Sequence, residues 1–292
     1  MSKSRADFAH ALRHGHTVWA AGVYDALSAK LAQAAGFPAL MTSGFAVSAS
    51  LLGQPDVEVY TMTENLSVAR NVSNAVDIPV VADTDTGYGN AINVMRTVRE
   101  FEQAGLHALI FEDQEVPKRC PAAAAVIEIL PVMESAAKIR AAVRARQDPN
   151  LIIIARTDAL TEDDAIEWAK IYVQAGADLI QPISRCFNSI DGLRRLRQAC
   201  GVPLSLQLLG WLENDLTTEQ IQEVAGLAVY PLVGLFTVTE TLKQNYAQLW
   251  QSKSVHGLPH PMTNMAEFKK MIGFAEVEAL QSMFLLGNLP KK

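Results

Sequence analysis

Eight times along its 292 residues the chain repeats one rhythm: a short apolar run, a few polar or glycine residues, then ten to fifteen residues with helical spacing. The apolar runs lie at 18–22, 39–42, 80–82, 108–111, 151–155, 179–181, 204–206 and 227–230. Helical patterns fill 26–35, 63–75, 91–104, 133–145, 162–175, 189–199, 217–225 and 238–250, and glycines at 36, 105, 176 and 201 fall where helices should stop. None of the runs alternates between apolar and polar, as a half-solvated strand would, so both faces of each strand must be covered. Short strands joined through helices predict a closed (β/α)8 TIM barrel, with an open doubly wound sheet as the alternative.

The barrel should occupy residues 1–253. Prolines, a glycine and two histidines in 254–263 read as a linker. Beyond it, 265–285 reads as one or two amphipathic helices, rich enough in Met and Phe that their apolar side needs cover from the barrel or another subunit. Residues 254–292 are therefore expected to form a helical extension.

Composition excludes several classes. Apolar residues make up 49% and charged ones 19%, enough for a large core and against disorder. A net charge of −6 with scattered Lys and Arg gives nucleic acid no footprint. No stretch approaches the ~18 uninterrupted apolar residues of a membrane span, and no leader is evident, so the protein reads as cytoplasmic. Cys120, Cys186 and Cys200 form no CxxC pair, and the last two read as packing thiols. His10, His14 and His16 read as part of a solvated N-terminal helix, and His107 as structural.

Chemistry gathers at the strand ends. The run at 80–82 empties into Asp83 and Asp85, followed by Gly87-Tyr88-Gly89, and the run at 108–111 empties into Glu112 and Asp113. Buried carboxylates are costly unless paired or bound to a cation, so two neighbouring acidic strand ends predict an oxygen-rich site for a hard cation such as Mg²⁺. Gly87-Tyr88-Gly89 lacks the spacing of a dinucleotide loop and should shape the metal loop, with Tyr88 toward substrate. Ser43-Gly44-Phe45 ends another strand in small residues whose free N–H groups suit a carboxylate or phosphate, although a simple small-residue turn explains them too. Arg156 points into the same cavity, to grip a substrate anion or to pair with the acids.

Taken together, Ser43-Gly44, Pro55-Asp56, Asp83-Thr-Asp85-Thr-Gly-Tyr-Gly-Asn90, Glu112-Asp-Gln114, Lys118-Arg-Cys120 and Ala155-Arg-Thr-Asp-Ala159 resemble the isocitrate lyase and phosphoenolpyruvate mutase superfamily. The 2-methylisocitrate and dimethylmalate lyase branch is the nearest likeness. The resemblance implies a barrel whose eighth helix is swapped between subunits of a homodimer or homotetramer. It implies Mg²⁺ or Mn²⁺ near Asp85, with Asp56, Asp83 and Glu112 close by, several through water. It places the carboxylate of a small 2-oxo or 2-hydroxy acid on Ser43-Gly44-Phe45 and Arg156, and gives Cys120 a proton-transfer role with Lys118 lowering its pKa. The implied reaction is carbon–carbon cleavage in which the cation stabilises an enolate.

The chain departs from that pattern in one direction. Pro121-Ala122-Ala123-Ala124-Ala125 replaces the Gly-His after the cysteine, Ile183 (before Ser184) an expected glutamate, Gln207 an asparagine, Leu209-Gly210 a Thr-Glu pair, and Phe236 an arginine. Glu112-Asp-Gln also lacks the lysine and asparagine of phosphoryl mutases. Fewer partners for a distal carboxylate imply a substrate whose tail is less charged than that of methylisocitrate. Oxaloacetate decarboxylation or acyl hydrolysis is the alternative reading, and a non-catalytic metal-binding scaffold the second.

Overall fold

The computed structural model describes residues 4–285 except 15, 122, 125 and 184. Ala122, Ala125, Ser184 and the end of the expected extension lie outside the described residues.

Eight parallel strands close into a barrel in sequence order: β1 (Val18–Val23), β2 (Ala39–Thr42), β3 (Val80–Asp83), β4 (Ala108–Glu112), β5 (Ile152–Thr157), β6 (Leu179–Pro182), β7 (Leu204–Gln207) and β8 (Ala225–Tyr230), with β8 pairing β1. The open-sheet alternative is thereby excluded. Helices follow as α1 (Arg5–His14), α2 (Ala26–Ala34), α3 (Gly44–Leu52), α4 (Met62–Ala75), α5 (Ala91–Gln103), α6 (Val132–Ala145) and α7 (Glu162–Gln174). They continue as α8 (Ile190–Cys200), α9 (Trp211–Asn214), α10 (Thr218–Val224), α11 (Val233–Ser252), α12 (Met265–Ile272) and α13 (Phe274–Phe284).

The strands are apolar throughout because alternate residues serve two cores. On β4, Ala108 and Ile110 fill the barrel interior, while Leu109 and Phe111 pack into the layer shared with the helices. Burying each such Leu, Ile or Phe contributes roughly 1.5–3 kcal/mol.

Three expectations need correction. The small-residue stretch after β2 is a helix, α3, capped by Ser43, whose hydroxyl accepts from Ala46 N–H at 3.4 Å. The N-terminal helix is not simply solvated, because Phe8, Ala9 and Leu12 of α1 join the interior cluster and close the N-terminal end of the barrel. Arg5 and Arg13 tether it, Arg5 to the Leu106 carbonyl at 2.9 Å and Arg13 to Asp178 at 2.6 Å. The short α9 was also missed. His107, by contrast, stands at this closed end as expected, its Nδ1 accepting from Val80 N–H at 3.2 Å.

The chain divides into two compact units, Met1–Leu235 and Phe236–Lys292. In the second, Asn245 ties α11 to the following segment through hydrogen bonds of 3.0 Å with His260 in both directions. Neither α12 nor α13 buries a residue, and Met265, Phe274, Val277, Leu280, Met283 and Phe284 all stand exposed. Among the described residues, no helix is long and apolar enough to cross a membrane.

Candidate metal and substrate site

Parallel strands carry their terminal side chains to one mouth, and here β3 ends on Asp83 and β4 on Glu112, which is in register with Arg156 of β5. Asp85 lies just past β3 in left-handed backbone, φ 51°. For a residue with a Cβ that conformation costs about 1–3 kcal/mol and needs surroundings that enforce it. They are present: Tyr60 donates to Asp85 Oδ2 at 2.6 Å, Tyr88 donates to the same oxygen at 3.1 Å, and Asp85 N–H donates to Asp83 Oδ1 at 3.1 Å. Asn65 fixes Tyr88 in turn, at 2.7 Å.

The N-terminus of α3 closes on the same acids. Gly44 N–H donates to Asp83 Oδ2 at 3.2 Å. A Cβ at Gly44 would come within 2.8 Å of the Tyr60 hydroxyl and 2.9 Å of Asp83 Oδ2, so only glycine lets the helix approach this closely. Ser43 is buried beside it and Phe45 is half-buried.

Lys118 arrives from the loop after β4. That loop folds back on itself through hydrogen bonds of 2.9 Å from Glu115 N–H to the Glu128 carbonyl and from Leu130 N–H to the Asp113 carbonyl. Lys118 Nζ reaches Asp85 Oδ1 at 2.5 Å and Asp56 Oδ1 at 2.9 Å, fully buried. Burial opposes its charge, but Asp85, Glu112 and Asp56 outweigh burial and hold its pKa well above the usual lysine value. The ammonium is thus engaged by the acids, whereas the sequence reading assigned it to the Cys120 thiol. Cys120 itself is buried, and its loop is held by Arg185, which donates to the Pro121 carbonyl at 3.1 Å and the Ala124 carbonyl at 3.0 Å.

Arg156 pairs with Glu112 at 2.6 Å and with Asp158 at 2.9 Å. Behind it, Asp113 accepts from Asp158 N–H at 2.8 Å and from the Tyr172 hydroxyl at 2.9 Å. Burial, then the neighbouring charge, pushes these acids up: Asp83 to about 6 with Asp85 beside it, Asp113 to about 7 with Asp158 beside it. Burial also raises Glu112 well above its usual range, against the pull of Arg156.

Of the positions that depart from the lyase pattern, Ile183 is half-buried and donates its N–H to the Thr157 carbonyl at 3.1 Å. Gln207 donates to Gln181 Oε1 at 3.1 Å. Leu209 is half-buried, and Phe236 stands half-exposed in the second unit. Sequence reasoning missed Glu58, Tyr60, Asn65 and Lys138, and quoted Asp158 within a motif without giving it a role. Glu58 accepts from Thr86 Oγ1 at 2.6 Å and from Lys118 N–H at 3.3 Å, so it positions both the metal loop and the lysine. Its spacing two residues after Asp56 was the one signal available. Cys186 and Cys200 are packing thiols, which burial pushes up to about 12 and about 11.

The donor set fits a hard divalent cation. Asp56, Asp83, Asp85 and Glu112 bring four carboxylates to the mouth, the all-oxygen donor chemistry that such a cation takes. Among the described residues no group of three ligating side chains is already arranged to hold an ion.

Comparison with known proteins points to one family. The phosphoenolpyruvate phosphomutase family model matches residues 8–230. A 2,3-dimethylmalate lyase of Eubacterium barkeri is 34% identical over 279 residues, covering 93% of this chain and 94% of that protein. An oxaloacetate decarboxylase of Rhodopseudomonas palustris is 45% identical over 163 residues, 55% of this chain and 56% of its own. The crystal structure of a phosphonopyruvate hydrolase in complex with oxalate and Mg²⁺ superposes with a TM-score of 0.87 at 29% identity, covering 98% of this chain and 100% of that one.

Proposed function

The chain belongs to the phosphoenolpyruvate mutase/isocitrate lyase superfamily, and from that premise we propose that it is a Mg²⁺- or Mn²⁺-dependent carbon–carbon lyase acting on a small 2-hydroxy or 2-oxo carboxylic acid. The observation that carries this reading is the enforced left-handed Asp85, held by two tyrosines and a lysine among three further acids. A cation bound there supplies a fixed positive charge beside the oxygen on which negative charge grows as the bond breaks. The protein's own groups do the rest. Tyr60 and Tyr88 keep Asp85 oriented, and burial with the nearby Asp85 charge keeps both phenols protonated as donors. Arg156 and the N-terminus of α3 hold the substrate carboxylate, and Cys120 moves a proton at the carbon left behind. Ile183 and Leu209 favour a substrate tail of low charge.

Decarboxylation of a 2-oxo diacid is the second reading, favoured by Pro121 standing where a lyase histidine would assist the thiol and by the likeness to the oxaloacetate decarboxylase. The exposed apolar row on α12 and α13 supports a homo-oligomer in which a second copy covers it, and sedimentation as a monomer would contradict that.

The central reading is tested by magnesium calorimetry on the parent protein and Asp85→Ala, with cleavage of a panel of 2-hydroxy and 2-oxo acids followed alongside. Equal magnesium affinity in the two proteins, or tricarboxylates preferred over less charged acids, would overturn it.

A further inference from the structure

Behind the site, Phe111, Glu112, Ser135, Lys138, Arg156 and Tyr172 help line a cavity of about 10 Å³, room for roughly one water. Lys138, on α6, is 3% exposed, and its Nζ has no hydrogen-bond partner among the described residues. An ammonium has three donors, and leaving them empty in the interior costs several kcal/mol. On the same cavity, both Glu112 oxygens are buried and accept no hydrogen bond among the described residues; Oε2 stands in an ion pair with Arg156 at 2.6 Å, which leaves Oε1 as the open acceptor. A starved donor and a starved acceptor thus share a space the size of one water.

We propose that Lys138 is a positioning residue: a buried water bridges its ammonium to Glu112 Oε1 and fixes the orientation in which Glu112 faces the cation. The bridge gives Glu112 two opposed anchors, Arg156 on one oxygen and the water on the other, so the carboxylate cannot turn away when the mouth is charged. Burial pulls the Lys138 pKa down, and the charges of Glu58, Glu112, Glu134 and Asp113 offset only part of that. The inference rests on reading Glu112 as part of the cation's surroundings. No catalytic contact is assigned to Lys138, which acts only through Glu112.

The test compares the parent protein with Lys138→Met, which keeps the length of the side chain while removing its charge and donors, and with Lys138→Arg. Calorimetry with MgCl₂ alone should show Lys138→Met binding about ten- to a hundredfold more weakly, the usual cost of losing a partner behind a metal ligand. Its melting temperature should stay close to the parent's, and Lys138→Arg should recover most of the affinity. Unchanged affinity in Lys138→Met would overturn the proposal, as would a lower melting temperature as the sole effect. Crystal structures of the metal-free proteins decide it independently of the metal. A water bound to both Lys138 Nζ and Glu112 Oε1, with Glu112 turned in Lys138→Met, supports it, and an empty cavity sinks it. A parent protein that holds this water yet binds no magnesium would defeat the lyase reading and leave the bridge standing.

Discussion

Lys118 Nζ stands 2.5 Å from Asp85 Oδ1 and 2.9 Å from Asp56 Oδ1, so an ammonium already occupies oxygens that a divalent cation would use. The two positive charges compete. Lys118→Met should destabilise the EDTA-treated protein by about 3–5 kcal/mol, the usual cost of stranding a buried charge, and magnesium should restore most of that. Thermal melts with and without MgCl₂ check this, and a magnesium-induced gain no larger than the parent's would refute it.

Gly44 is expected to tolerate no side chain. In Gly44→Ala the new methyl meets Tyr60 and Asp83, and these can yield only by loosening their hold on the metal loop. Magnesium affinity should fall at least tenfold. A Gly44→Ala protein with parental affinity would show that the close approach of α3 is incidental.

Cys120 is buried behind a loop that Arg185 holds by two carbonyls. Arg185→Ala should speed alkylation of Cys120 severalfold, read by mass spectrometry against the packed Cys200 as internal control. In the same loop, Cys120→Ser should abolish turnover while leaving magnesium binding intact if the protein is a lyase. Little effect on turnover would favour decarboxylation.

The metal-free protein should lose stability as pH rises from about 5 to 7. Asp83 at about 6 and Asp113 at about 7 bind their protons more tightly folded than unfolded, so the folded state carries more protons through this window. Stability then declines with rising pH, the reverse of the usual carboxylate behaviour. Melting temperatures in EDTA that climb between pH 5 and 7 would contradict this, and saturating magnesium should flatten the slope.

The barrel could be read from the chain because strands covered on both faces leave uninterrupted apolar runs, and each predicted run overlaps its strand to within about two residues at either end. Asp83, Asp85, Glu112 and Arg156 were legible for the same reason, since each terminates or follows such a run. Helix α3 was not: Gly-Phe-Ala-Val-Ser-Ala-Ser-Leu-Leu has no charged face to give it a period, and even its exposed Leu51 is apolar. Nor was the pairing of Lys118 with residues 33 and 62 positions earlier, because the reach of a loop folded back on itself is not written in local spacing. Lys138 looked like any lysine on an amphipathic helix; only packing reveals that it faces inward.

Every charged group proposed to touch the cation or the substrate's head lies between residues 43 and 158, on or after strands β2 to β5, whereas Ile183, Gln207 and Leu209 belong to the ends of β6 and β7. On the proposed reading, bond breaking and selectivity occupy separate arcs of one ring. Grafting the β6–α8 and β7–α9 connections of a relative onto this scaffold should exchange which acid is accepted while the ion-binding half carries on undisturbed.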